Sequence, residues 1–446
     1  MGKSELMGSR SRRRVVPAGE FTADIVDLDH DGRGVARVEG KVTFIAGALP
    51  GERVRYKLSR TTRDVDEGAA TAVEQASPHR VEPGCAHFGV CGGCTLQHLA
   101  PEQQVAFKQK QLLEALTRLG GVEAAEVAAP VTGPMWGYRR RARLGAKLVP
   151  KKGGVLVGFR ERESPLLAAI DSCVVLDPRV GQSLRDLATL IGGLSIAERL
   201  PQIEVACADH AALVLRVLDE PSAADREALA SFAAAHDFDF YLQRGGPDSV
   251  QPLGAARTLH YSPDGSDLRL EFAPSDFVQI NGPVAQAMVR QALDWLAPAA
   301  GDTVLELFAG LGNFTAPLAR SGASVTAVEG EAALVEHGRD NLRRNGLEAR
   351  YHRADLFVPD PHAPWLQQRY DLALLDPPRS GAREILPLLA HTRPRRIVYV
   401  SCHPGTLARD AGLLVKEHGY RLRRAGVLDM FPHTAHIESM ALFEKE

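Results

Sequence analysis

Three short runs in the second half of the chain carry residues able to do chemistry. Cys402 stands in Ser401-Cys402-His403-Pro404, directly after the β-branched run Arg396-Ile397-Val398-Tyr399-Val400, which predicts a buried parallel strand. Asp376-Pro377-Pro378-Arg379 closes a second apolar run, Tyr370 to Leu375, and Val304-Leu305-Glu306-Leu307-Phe308 leads into a glycine loop. Ligands of open parallel sheets sit beyond the carboxyl ends of the strands, so the three runs aim at one crevice. A lone cysteine after a strand is ordinarily a small buried hydrophobe, but these neighbours favour a nucleophile. C5 of a pyrimidine accepts a methyl group only after ring conjugation is broken, and a thiolate adding at C6 breaks it. The C5 proton must then be removed by a general base. Glu438, in His436-Ile437-Glu438-Ser439-Met440, is the candidate; taken alone it would read as an ordinary surface carboxylate.

A methyl donor needs its own pocket. Glu306-Leu307-Phe308-Ala309-Gly310-Leu311-Gly312-Asn313-Phe314 joins a strand to a helix, and the next strand, Ser324 to Val328, ends in Glu329. Glycines allow close backbone approach to a ligand, and an acid after the second strand can accept ribose hydroxyls. The glycine spacing alone is weak evidence. A dinucleotide motif would place its third glycine where Phe314 and Thr315 stand, and Glu306 disfavours a pyrophosphate while suiting a cationic sulfonium. The block resembles the first motif of class I methyltransferases that bind S-adenosylmethionine. By that resemblance Asp355 falls where such folds contact adenine.

At 446 residues the chain is too long for one core. Its 53 Lys plus Arg against 55 Asp plus Glu leave a net charge of -2, so a nucleic-acid partner must be argued from local patches. Residues 1–18 form a basic tail with Lys3, Arg10, Arg12, Arg13 and Arg14 against Glu5; an RNA-touching arm and a solvated tail are equal readings. The tail lacks the apolar stretch of a secretory signal, and no run approaches the ~20 residues that span a bilayer. The expectation is a soluble cytoplasmic monomer without membrane contact. Cys85, Cys91 and Cys94 cluster, Cys173 stands apart, and Cys207 sits in a strand-like run. In a reducing compartment the cluster favours a metal over disulfides. Four thiolates suit either zinc or a cubane iron–sulfur cluster.

The elements that must position these residues fall into three groups. From Glu20 to Ala76, Phe21 to Leu28, Val35 to Val38, Val42 to Ala46 and Arg53 to Leu58 read as short strands of a small β-barrel. Arg53, Arg55, Lys57 and Arg60 offer a basic face or a plain solvated one. A helix is expected over Glu102 to Leu119, stopped by Gly120-Gly121. Tyr138 to Pro150, Gly154 to Arg160, Gln202 to Ala208 and Ala212 to Leu218 read as strands of a second unit. Arg139, Arg140, Arg141, Arg143, Lys147, Lys151 and Lys152 there suggest a phosphate track or an exposed strand face. From Glu271 strands and helices alternate, the mark of a parallel α/β sheet.

The barrel, with its glycine turn and Leu49-Pro50-Gly51-Glu52, resembles the TRAM domain, an OB-like module. Phe277-Val278-Gln279-Ile280-Asn281, the Phe308 to Phe314 loop, Asp376-Pro377-Pro378-Arg379, Ser401-Cys402-His403-Pro404 and the closing His-Ile-Glu together resemble the RNA uracil-C5 methyltransferase family. The likeness covers nearly all of the chain after the tail. It implies a multidomain fold: a basic tail at 1–18, a TRAM RNA-binding domain at 19–78, a central α+β iron–sulfur and RNA-binding domain at 79–100 and 125–270, and a Rossmann-like methyltransferase domain at 101–124 and 271–446. It implies Cys402 as nucleophile and Glu438 as base, with Gln279, Phe308, Asn313, Glu329, Asp355 and Asp376 contacting S-adenosylmethionine or positioning the base. Cytosine-modifying relatives carry a cysteine where Arg379 stands, so uracil is favoured. His87 to Cys94 resembles the cluster loop of the subgroup acting on large-subunit ribosomal RNA. That implies a [4Fe–4S] cluster on Cys85, Cys91, Cys94 and Cys173, and 5-methyluridine in 23S ribosomal RNA as product. Transfer RNA as substrate, or a non-catalytic RNA-binding iron–sulfur protein, are the alternatives.

Overall fold

The computed structural model describes residues 16–445, so Lys3 and Arg10 to Arg14 of the expected tail lie outside the described residues. The chain forms two compact units. Of the described residues, one takes in 16–89 with Cys94–Phe107 and His433–Ala435; the other holds Val90–Gly93, Lys108–Pro432 and 436–445.

In the first unit six strands pair in the order Phe21–Asp24, Arg53–Thr61, Val65–Gln75, Lys41–Ala46, Gly34–Val38, Asp27–Leu28. Strand periodicity turns Val54 and Tyr56 into a core with Ile25, Ala36 and Ile45, while Arg53, Arg55 and Lys57 face out. Sequence reading missed Val65–Gln75, whose Ala, Glu and Gly are poor strand formers; pairing on both sides holds it extended. The same neighbours answer the basic face. Arg53 meets Asp24 at 3.2 Å, Arg55 meets Glu20 at 3.1 Å and Arg60 meets Glu67 at 3.3 Å. These exposed pairs add little stability, but each sets a carboxylate against one of the face's arginines.

The second unit contains two larger sheets. A six-stranded sheet runs Val250–Pro252, Phe238–Gln243, Ala211–Arg216, Gln202–Cys207, Arg141–Val149, Gly154–Gly158, packed on helices Leu184–Gly192 and Ala223–His236 through Leu187, Ile191, Leu213 and Leu229. Its arginines do not form one outward track. Arg140 sends Nε to the Gln279 carbonyl at 2.7 Å and lies 4.7 Å over the Tyr261 ring, and Arg141 reaches the Pro274 carbonyl. Only Arg143, Lys147, Lys151 and Lys152 of that run are exposed.

The other sheet carries the chemistry. We label its strands β1 (Thr303–Leu307), β2 (Ser324–Glu329), β3 (Arg350–Arg353), β4 (Leu372–Leu375), β5 (Arg396–Ser401), β6 (Tyr420–Leu428) and β7 (Glu438–Lys445). Their order is 3-2-1-4-5-7-6, with the two-residue strand Glu126–Val127 added on β6. β1 to β5 are parallel and β7 is antiparallel to both β5 and β6. Leu372 to Leu375 and Ile397 to Ser401 are buried throughout, as strands covered on both faces must be. The helix expected over 102–119 runs as Pro101–Ala115 and then widens into a π-helical turn, Leu116–Gly120. It ends at Gly121, φ 60°, the left-handed cap that glycine accepts without strain.

Candidate active site

Register builds the reacting pair. Ser401, last in β5, pairs with Ser439 of β7, and Glu438 opens β7 opposite Leu428. Antiparallel pairing therefore sets Cys402 and Glu438 at adjacent positions as the two chains leave the sheet. Backbone at the cysteine is fixed on its far side too: His403 donates its N–H to Ser401 Oγ at 3.2 Å, and His403 Nδ1 accepts the Thr406 N–H at 3.2 Å to cap helix Pro404–Lys416. Asp376 follows β4, whose Leu375 pairs with Tyr399 of β5. The crevice inferred from three strand ends is thus a consequence of strand order 1-4-5-7.

All eight expected residues, Gln279, Phe308, Asn313, Glu329, Asp355, Asp376, Cys402 and Glu438, line one cavity of about 740 Å³. Cavities of about 730 and 910 Å³ elsewhere in this unit are similar in size or larger, so chemistry rather than size identifies the site. Its walls follow from the glycine loop. Phe308, Gly310 and Gly312 have φ of 62°, 54° and 104°. Two of these positions need glycine, and the left-handed Phe308 costs about 1 kcal/mol or more that the packed strand must hold. Glu329 closes the loop against β2: Oε2 accepts the Gly310 N–H at 2.9 Å, and Oε1 accepts those of Gly330 and Glu331 at 2.7 and 2.9 Å. Asp355 Oδ1 accepts the Phe357 N–H at 2.9 Å, and the Phe357 ring stands 5.8 Å from that of Phe308. Such an acid-and-aromatic recess suits a nucleoside.

Three groups set the electrostatics. Burial pushes the Asp376 carboxyl up to about 7, with the Glu438 charge adding to it and the Gln279 amide, 3.5 Å away, opposing. Burial also raises the Cys402 thiol to about 12, reinforced by Glu438 and Asp376 and opposed by Arg379. The resting residue is therefore a thiol, beside a carboxyl whose acid form is favoured by burial. Glu306 departs from expectation. It is 1% exposed, is not among the residues lining the cavity, and burial lifts its carboxyl to about 8. It is mostly neutral at pH 7 and does not serve as a counter-charge facing a sulfonium.

None of Cys85, Cys91, Cys94 and Cys173 is in a disulfide. The Gly93 N–H points to Cys91 Sγ at 3.4 Å, and Cys85 N–H donates to Gln97 Oε1 at 3.1 Å. Cysteine sulfurs outside disulfides, one of them with a backbone N–H directed at it, are donor chemistry that fits an iron–sulfur cluster. Cys207 is a buried core residue as expected.

Sequence reading missed Tyr261, Phe357 and Arg379 as lining residues. Tyr261 donates to Asn313 Oδ1 at 3.2 Å from a three-residue strand, Leu259–Tyr261, that no local pattern announces. Phe277 was visible in its motif, but not its 70% exposure at the cavity.

Comparison with known proteins agrees with this geometry. The family model "tRNA (Uracil-5-)-methyltransferase" matches residues 260–350 and 366–446, and the TRAM domain matches residues 19–70. The 23S rRNA (uracil(1939)-C(5))-methyltransferase RlmD of Alkalilimnicola ehrlichii is 53% identical over 98% of this chain and 99% of that protein. Its namesake in Methylococcus capsulatus is 47% identical over 98% of this chain and 100% of that protein. A solved tRNA (uracil-54, C5)-methyltransferase of Pyrococcus abyssi, in complex with S-adenosyl-L-homocysteine, superposes with a TM-score of 0.72 at 23% identity, covering 95% of this chain and 100% of that one. That likeness concerns the fold.

Proposed function

From the premise that this chain belongs to the RNA uracil-C5 methyltransferase family, we propose that it methylates C5 of a uridine in 23S ribosomal RNA, forming 5-methyluridine. The observation that carries the reading is the adjacency of Cys402 and Glu438 at the mouths of β5 and β7 inside a nucleoside-sized cavity. S-adenosylmethionine, when bound, supplies a methyl group on a sulfonium; Glu329 and Asp355 would hold its ribose and adenine, and Phe308, Asn313 and Gln279 would orient it.

The Cys402 thiol gives its proton to water, its sulfur adds to C6, and the C5–C6 electron pair moves toward O4. Asp376, in its acid form, hydrogen-bonds O4 as charge develops there, and Arg379 offsets the negative charges that disfavour the thiolate. C5 takes the methyl group. Glu438 then removes the C5 proton, the C5–C6 double bond re-forms, and Cys402 leaves as thiolate. The target base must be extruded from its stack to expose its face, and exposed Phe277 offers it a stacking surface.

The domain roles extend this reading: 19–78 as an RNA-holding barrel, 79–100 with 125–270 as cluster and RNA unit, 101–124 with 271–446 as the transfer unit. Cys85, Cys91, Cys94 and Cys173 hold a [4Fe–4S] cluster that shapes the protein rather than transferring electrons. Protein purified without oxygen should contain iron and acid-labile sulfide in equal amounts, lost in Cys91→Ser and Cys173→Ser; stoichiometric zinc without sulfide overturns this. The protein acts as a cytoplasmic monomer.

The test of the mechanism is trapping. Glu438→Gln should stall after methyl transfer and accumulate a denaturation-resistant, methylated protein–RNA adduct, absent when Cys402→Ala is added. RNA containing 5-fluorouridine should trap the unaltered protein likewise. Normal methylation of ordinary RNA with no fluorinated adduct would remove Cys402 from the role of nucleophile.

A further inference from the structure

The base Glu438 follows a connection, residues 429–437, whose backbone is held by side chains and amides remote in sequence. Within the first unit the His433 carbonyl accepts two N–H groups, from Thr95 and Leu96, both at 2.9 Å. Gln104 Oε1 accepts the His433 N–H at 2.8 Å, and Thr95 Oγ1 accepts the Ala435 N–H at 3.1 Å. His433 is 4% exposed with φ 66°, a left-handed conformation that persists only where its surroundings impose it. Ala435 packs on the cluster of Leu28, Leu49, Leu96, Leu99 and Phe107. Within the second unit Lys108, fully buried, gives Nζ to Asp429 Oδ1 at 2.6 Å and to the Phe431 carbonyl at 2.9 Å.

The residues that grip His433 and Ala435 begin one position after Cys94, and Gln97 in the same segment accepts the Cys85 N–H at 3.1 Å. We propose that Thr95 and Leu96, with Gln104, form a clamp on residues 433–435, so that a cluster bound at Cys85 and Cys94 fixes the placement of the general base. This rests on the reading of those cysteines as cluster ligands and of Glu438 as base. Thr95 and Gln104 are then positioning residues for proton removal, and the cluster serves catalysis by holding backbone, with no electron transferred.

The clamp makes a selective prediction: losing it slows the last step, not donor binding. Stripping the cluster with a chelator under mild oxidation should speed hydrogen exchange in the peptide 431–437 by about tenfold and leave the S-adenosylmethionine affinity within about twofold. The covalent methylated adduct should accumulate on ordinary RNA, and iron plus sulfide should reverse all of this. A second arm leaves the cluster in place. Thr95→Val, isosteric but without the acceptor for the Ala435 N–H, should lower turnover about tenfold with faster exchange at 431–437 and undiminished iron, whereas Thr95→Ser should restore both. Unchanged exchange and turnover in Thr95→Val overturn the clamp. Unchanged exchange after cluster removal, or donor binding lost along with it, overturns the cluster's part in it. Protein that never contains iron and sulfide fails the cluster reading instead, and absence of any adduct in Glu438→Gln fails the base reading; the exchange of Thr95→Val still decides the clamp.

Discussion

At the scale of single residues, the site keeps the sulfur of Cys402, the proposed nucleophile, protonated at rest. Burial and two flanking carboxylates raise the Cys402 thiol to about 12, so its alkylation by iodoacetamide, followed by peptide mass spectrometry, should quicken about tenfold per pH unit from pH 7 to 9. Asp376 is one source of the shift and itself titrates near 7. Asp376→Asn should therefore speed alkylation at pH 8.5, where the native carboxylate is charged, and the advantage should shrink toward pH 6, where it is already neutral. A rate flat between pH 7 and 9 would contradict a raised thiol. Cys402 and Asp376 were legible as candidates because each follows a strand within a distinctive motif, and Glu438 because it stands in the closing His-Ile-Glu where a strand begins. The neutrality of Glu306 was not legible, since one position along a strand separates a side chain facing the cavity from one sealed beneath it.

At the scale of elements, the donor loop depends on a tight contact between a helix and β3. Helix Ala332–Arg344 presents Gly338 to Tyr351, where an added Cβ would come within 2.4 Å of the ring. Tyr351 Oη in turn shares a hydrogen bond with Thr315 Oγ1 at 3.0 Å and lies under Gly312. Gly338→Ala should cost about 1–3 kcal/mol by overpacking, lowering the midpoint of thermal unfolding by roughly 2–4 °C per kcal/mol. Because the displaced ring props the loop, S-adenosylmethionine titration should show weaker binding as well. A variant with native midpoint and native affinity would mean the contact relaxes freely. The parallel strands were readable as β-branched runs between motifs, while Val65–Gln75 and Leu259–Tyr261 were not, because pairing partners and not local propensity keep them extended.

For the molecule as a whole, charge is local. The chain carries -2 overall, and the barrel's arginines are matched by Glu20, Asp24, Glu67 and Glu74. If the barrel holds RNA mainly by contacts other than phosphate pairing, the salt-dependent part of RNA binding is expected to draw on the central unit's exposed Arg143, Lys147, Lys151 and Lys152 and on the basic segment Lys3, Arg10, Arg12, Arg13 and Arg14. Removing residues 1–15 should weaken RNA binding and flatten its salt dependence, each lost phosphate contact taking about 0.7–0.9 from the logarithmic slope. Donor affinity should stay as it was. An identical salt slope would make the segment a bystander.

The sequence alone determined the reaction class and named the candidate nucleophile, base, donor-pocket and thiol residues, because each depends on residue types at short spacing. Tertiary structure decided what depends on pairing between distant segments. It set Cys402 beside Glu438 through the β5–β7 register, turned Arg140 and Arg141 inward to main-chain carbonyls, and brought Thr95 and Gln104 onto His433. Those contacts join positions up to some hundreds of residues apart, and the pattern of neither partner records them, since a backbone amide or carbonyl can be met by any residue that the fold delivers.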